Sequence, residues 1–266
     1  MYRYIETEKS ENTAIIWLAR PEKRNAFHEH MIDELLLALE SLKHDETLRT
    51  LIIRGKGKVY SSGADLDWMQ SVMNYSFNEN KLESKQLYRL FYAIYSFPVP
   101  VITIVHGASF GGANGIVAAS DISIADSETR FRFSEVQLGL LPATISPFVV
   151  KRIGEFNARE LMLTGMEFDS EKAVKVGLIN YSGNKKETEA FLNGILDSIQ
   201  SAAVGSVKNT KWLIRKIAAR SDMGELEDFT ADMIASARVS DEGQEGMKAF
   251  SEKRKPDWSG MSNNQN

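Results

Sequence analysis

The chain has 266 residues, 43% of them hydrophobic and 26% charged, which is an ordinary balance for a globular protein and long enough to bury a sizeable core. A net charge of −4 provides no basic field for nucleic acid, and the absence of cysteine excludes disulfides, thiolate metal sites and a cysteine nucleophile. No apolar run approaches the roughly 18 residues of a membrane-spanning helix, and residues 1–14 have neither a signal-peptide core nor transit-peptide character, so a cytoplasmic location is expected.

Thr13 to Leu18 is a short apolar, β-rich run that predicts a strand, closed by the turn signal Arg20-Pro21. Met31, Ile32, Leu35, Leu39 and Leu42 recur at helical spacing and predict a helix from His28 to Leu42. A second strand is expected over Leu51 to Arg54, followed by a loop broken by Gly55, Gly57 and Gly63. Ser71 to Ser96 reads as one helix, with Leu82, Leu87, Leu90, Phe91 and Ile94 on one side, stopped by Pro98 and Pro100. Val101 to Val105 is apolar throughout, the pattern of a strand buried on both faces. Gly107, Gly111, Gly112 and Gly115 surround the start of another helix, and two short strands are expected at Asp121 to Ala125 and Phe131 to Phe133.

Strand and helix patterns alternate this far, so the fold class is α/β. After Pro147 the strand signal fades. Helical patterns dominate from Asn157 onward, with Val204-Gly205 between two of them. The expected organisation is a mixed core over residues 1–201, a helical region over 202–258 and a disordered polar tail over 259–266.

Two glycine-bearing loops carry the chemistry. The first is Val59 to Leu66, and the second is Gly107 to Gly115, directly after the buried strand. A strand, a glycine turn and a helix start together leave N–H groups free and place partial positive charge at one spot, which suits a developing oxyanion. Taken alone, either loop reads more readily as a tight turn, because glycine turns are common. The second is not a dinucleotide fingerprint, because Gly107, Gly111 and Gly112 do not form the required pattern.

Several pieces occur in one order: Pro21 to Phe27, Ser62 to Leu66, Pro98 to Ile102, the 107–115 loop, Ser120 to Ile122, Phe133 to Val136, Leu138 to Leu140 and Phe250 to Pro256. This combination resembles the crotonase (enoyl-CoA hydratase/isomerase) superfamily from Thr13 to Trp258. The resemblance implies a crotonase-like spiral of β-β-α units followed by a C-terminal helical trimerisation region, and hence a homotrimer or a hexamer made of two trimers. It implies an acyl-CoA substrate and no cofactor besides the CoA that the substrate carries. By position it assigns the oxyanion hole to the backbone N–H groups of Ala64 and Gly112, and the carbon acid/base to Glu135. On the CoA side it points to Arg24, Ser62, Ala64, Asp65 and Gly112, with Phe250 and Lys253 reaching the CoA of a neighbouring subunit. Read without it, Glu135 is an exposed loop carboxylate and Arg24 and Lys253 are solvated charges.

The sequence departs from the two-glutamate hydratases of that family at Gly115, where they carry the second glutamate. Glycine cannot activate water, while Asn114 could orient a water without acting as a base. A single glutamate also suits a double-bond isomerase, which shuttles one proton between two carbons. Asp65 to Met69, Asn74 to Phe77 and Ser134 to Pro147 look like a bacterial subgroup described as methylglutaconyl-CoA hydratases of leucine breakdown, or as the related hydratase of acyclic terpene degradation. The expected activity is therefore hydration of a branched or glutaconyl-type 2-enoyl-CoA. The alternatives are a 3-enoyl-CoA to 2-enoyl-CoA isomerase and a non-catalytic binding protein. His28, His30, His44 and His106 show no metal-ligand spacing, and His106 reads as a packing or hydrogen-bonding residue.

Overall fold

The computed structural model describes residues 2–219 and 222–259. Of the expected tail, residues 260–266 lie outside the described residues. The chain forms two compact units, one up to Leu196 and one from Asp197. The boundary therefore falls inside the helix Lys185–Ser201, not after residue 201 as expected, because the last turn of that helix groups with the helices C-terminal to it.

In the first unit, β1 (Ile5–Ser10) and β2 (Thr13–Leu18) form an antiparallel hairpin. β2 then pairs in parallel with β3 (Thr50–Gly55), and β3 with β4 (Val101–Val105). β4 continues in parallel to β6 (Ile122–Asp126), and β6 to β9 (Tyr181–Gly183). A second, three-stranded sheet holds β5 (Ala108–Phe110), β7 (Arg130–Arg132) and β8 (Phe168–Asp169). β4 is buried at every residue, as its unbroken apolar run requires of a strand covered on both faces. β1 has no apolar alternation and buries only Ile5, so it could not be predicted from periodicity.

Helix α1 (Glu29–Lys43) buries Met31, Ile32, Leu35, Ala38 and Leu39 against the sheet. The single helix expected from Ser71 to Ser96 is two helices, α2 (Leu66–Val72) and α3 (Phe77–Tyr95). Asp65 caps the first, and Ser76 with Glu79 forms a capping box that starts the second. The Glu79 N–H donates to Ser76 Oγ at 3.3 Å, and the Ser76 N–H to Glu79 Oε2 at 2.7 Å. α4 (Ala113–Ala119) follows the second glycine loop and is wholly buried. α5 (Ser146–Thr164) is interrupted at Gly154 and ends on Gly165, with α6 (Ser170–Lys175) and α7 (Lys185–Ser201) after it. The second unit contains α8 (Val204–Ile217), α9 (Glu227–Val239) and α10 (Asp241–Ser251). No helix among the described residues is long and apolar enough to cross a membrane.

Candidate active site

Both glycine loops leave the C-terminal ends of the parallel strands and pack on each other. Ser61 donates its N–H to the Ala108 carbonyl at 3.0 Å, and Phe110 donates to the Ser61 carbonyl at 3.2 Å. Gly63 has φ of 92°, and a Cβ there would stand 2.9 Å from the Phe110 carbonyl oxygen. Only glycine fits this approach.

Ala64 forms a single parallel rung with Phe27. Phe27 donates to the Gly63 carbonyl at 2.7 Å, and Asp65 donates to the Phe27 carbonyl at 2.8 Å. In a parallel rung the flanking residues make the bonds, so the N–H of Ala64 points away and finds no acceptor among the described residues. Gly112 is the N-cap of α4, and its N–H is likewise without an acceptor among them. Its neighbour Gly111 donates to the Arg132 carbonyl at 2.9 Å, which binds this turn to β7. The two N–H groups expected as oxyanion donors are thus both left free by adjoining turns.

Glu135 follows β7 on a single turn of 3₁₀ helix over Glu135–Leu138. A Cβ on Gly111 would stand 3.4 Å from Glu135 Oε1, so the carboxyl lies against the turn that presents Gly112. Oε2 is buried and has no hydrogen-bond partner among the described residues. Burial pushes the carboxyl above the usual carboxylate range, offset in part by its own backbone N–H. Phe131 and Phe133, both fully buried, stack on Phe168 at 5.7 and 5.9 Å and fix the strand that delivers Glu135.

The structure corrects or refines three expectations. The side chain of Asp65, expected on the CoA side, is 3% exposed, caps α2 and pairs with Arg20. Asn114 cannot orient a water. It is fully buried, with Oδ1 accepting from Ser109 Oγ at 2.8 Å and Nδ2 donating to the Arg132 carbonyl at 2.9 Å. The N–H of Ser62 is taken by the Arg24 carbonyl at 3.0 Å, which leaves the Ser62 carbonyl as the backbone group available to an adenine.

Arg24 is exposed on the same turn, held at φ 54° as the C-cap of a 3₁₀ turn over Pro21–Lys23. Phe250 and Lys253 belong to the second unit, at the end of α10 and just beyond it, and both are exposed. His106 staples the loop through Nε2 to the Gly57 carbonyl at 3.0 Å.

Sequence reasoning missed what occupies the space beside Gly115. A Cβ there would meet Phe91 Cζ at 2.5 Å and Ile145 Cγ2 at 2.7 Å. Both residues are buried, and they build an apolar wall where a second glutamate would project. Phe91 was readable as part of an apolar helix face, but nothing in the sequence aims it at Gly115.

The sequence pattern of the enoyl-CoA hydratase/isomerase family matches residues 8–261. The crystal structure of an enoyl-CoA hydratase from Shewanella pealeana superposes with a TM-score of 0.92 at 38% identity, covering 96% of each chain. The trans-2-decenoyl-[acyl-carrier-protein] isomerase of Streptococcus mutans is 30% identical over 93% of this chain and 94% of its own. The crotonyl-CoA hydratase of Syntrophomonas wolfei is 28% identical over 97% of this chain and 98% of its own. This chain belongs to the enoyl-CoA hydratase/isomerase family.

Proposed function

We propose that the chain hydrates a 2-enoyl-CoA of branched or glutaconyl type, with Glu135 as its one carbon acid/base and the N–H groups of Ala64 and Gly112 as its oxyanion hole. The observation that carries this reading is the meeting of two acceptorless N–H groups with a desolvated carboxyl at one pair of turns. Ionised Glu135 takes a proton from water as the water oxygen bonds to the β-carbon. The double-bond electrons move to the thioester oxygen, where the two N–H groups stabilise the enolate. Glu135 then returns the proton to the α-carbon, so the net change is one water added. Arg24 and the Ser62 carbonyl hold the nucleotide end of CoA, and Phe250 and Lys253 serve the CoA of a neighbouring copy in a trimer.

The apolar wall at Gly115 favours a second reading. With one carboxylate and an apolar wall where a second would project, the same site can take an α-proton from a 3-enoyl-CoA and return it to the γ-carbon. A turnover screen with 3-methylglutaconyl-CoA, crotonyl-CoA and a 3-enoyl-CoA separates them by mass spectrometry. Gain of water supports hydration and an isobaric product supports isomerisation. No turnover, together with no α-carbon deuterium exchange in heavy water, refutes both.

A further inference from the structure

The position of the Ala64 N–H is set by the residues on either side of it. Arg20 Nη1 donates to Asp65 Oδ2 at 2.5 Å and to the Ala26 carbonyl at 3.2 Å. One nitrogen therefore joins the residue before Phe27 to the residue after Ala64, the two flanks of the single rung between them. The pair is well shielded, with side chains 13% and 4% exposed. Asp65 Oδ1 accepts the N–H groups of Asp67 at 2.8 Å and Trp68 at 3.3 Å, which anchors the far end of the loop to α2. On the near side, the Arg20 N–H donates to Asn25 Oδ1 at 2.9 Å. Ser61 Oγ in turn donates to the Asn25 carbonyl at 2.7 Å and accepts the Gly63 N–H at 3.2 Å.

We propose that Arg20 is a positioning residue of the reaction, aiming the Ala64 N–H at the thioester oxygen by bridging Asp65 and Ala26. The proposal rests on the reading of Ala64 as an oxyanion donor. Removing one partner of a shielded ion pair strands the other, and displacement of a catalytic group by about 1 Å can cost 10²-fold in rate. Arg20 and Asp65 also line a cleft of about 290 Å³ with Tyr4, His28 and Trp68, which gives a small cation a path to the site. Burial alone would raise the Asp65 carboxyl, but the Arg20 bond and the Trp68 and Asp67 N–H groups outweigh it and hold the carboxyl below its ordinary value. The other titratable groups lining the cleft beside it are Tyr4, His28, Glu29, His30 and Asp67.

The test uses the full chain with Arg20→Gln and Arg20→Ala, each checked for folding by circular dichroism. Arg20→Gln is expected to lower kcat about 10- to 100-fold with KM and CoA affinity unchanged. It should also steepen the acid limb that Glu135 already gives the kcat–pH profile, because the unpaired Asp65 takes a proton at higher pH and adds a second required ionisation. Free guanidinium at millimolar concentration should restore part of the Arg20→Ala activity. Where Arg20→Ala does not fold, Arg20→Gln decides alone. Parent kcat and pH profile in Arg20→Gln overturn the proposal, as does a loss carried wholly by KM. A 3-oxoacyl-CoA, whose bound enolate absorbs in the near ultraviolet, separates this from failure of the oxyanion reading. No enolate band in the parent sinks the oxyanion hole. A full band in the parent and in Arg20→Gln sinks Arg20 only.

Discussion

Glu135→Gln tests the chemistry most directly, since it keeps the shape of the side chain and removes only the titrating group. Proton transfer by a positioned side chain contributes about 10²–10⁴-fold, or about 3–5 kcal/mol of barrier, and kcat should fall by that amount. The acceptorless N–H groups of Ala64 and Gly112 remain, as does the Arg24 turn, so KM and CoA affinity should hold. The parent kcat should rise with pH through a value above the usual carboxylate range, since the base must be ionised and burial raises its pKa. Stability runs the other way. The folded state holds the Glu135 proton more tightly than the unfolded chain does, so this group favours folding most below the unfolded pKa. That advantage is lost as pH rises through the folded pKa, where a carboxylate must be desolvated. Glu135→Gln should therefore raise Tm relative to the parent at neutral pH, and the gain should vanish in acid. Stopped turnover with crotonyl-CoA and 3-methylglutaconyl-CoA, calorimetric CoA titration and thermal melts across pH measure all three quantities. Full turnover in the variant would refute Glu135 as the acid/base, and a Tm gain that persists in acid would refute the burial argument.

Gly115→Ala should destabilise the fold by about 1–3 kcal/mol, because even a methyl meets Phe91 and Ile145 inside contact distance. Gly115→Glu should cost more and should add no hydratase activity; an unchanged urea midpoint in either variant would contradict the packing around Gly115. Arg24→Ala should weaken CoA about tenfold through loss of a charge-assisted phosphate contact, and equal affinity by calorimetry removes Arg24 from the site. The exposed Ile214, Ile234, Val239 and Met247 of the second unit predict association into trimers, and light scattering that finds a monomer at micromolar concentration refutes it.

The parts of the fold that sequence patterning captured are those with strong periodicity. β2, α1, β4 and the apolar side of α3 all obey spacing or unbroken apolar runs. The split between α2 and α3 was written in Ser76 and Glu79 as a capping box, but helical apolar spacing across it masked the signal. β8 and β9 span only two and three residues, too few for any period to register. In the site, Ala64, Gly112 and Glu135 were nameable because family resemblance assigns roles to positions. The roles of Arg20, Asn114 and Phe91 depend on partners 45, 18 and 24 residues away in sequence, as in Arg20–Asp65, Asn114–Arg132 and Phe91–Gly115. No local window contains both members of such a pair.

The rung between Phe27 and Ala64 makes donor identity a question of parity. In a parallel rung every second residue on a segment sends its N–H toward the partner strand, and those between send theirs outward. Gly63 and Asp65 bind Phe27, so Ala64 faces out. What the loop must preserve is therefore its count of residues, more than the side chain at position 64. Serine or glycine in place of Ala64 leaves the outward N–H where it is. Deleting or inserting one residue between Ser61 and Ala64 turns it inward, and a neighbour with the wrong reach takes its place. Across related chains, this predicts a loop that varies in letters and is rigid in length.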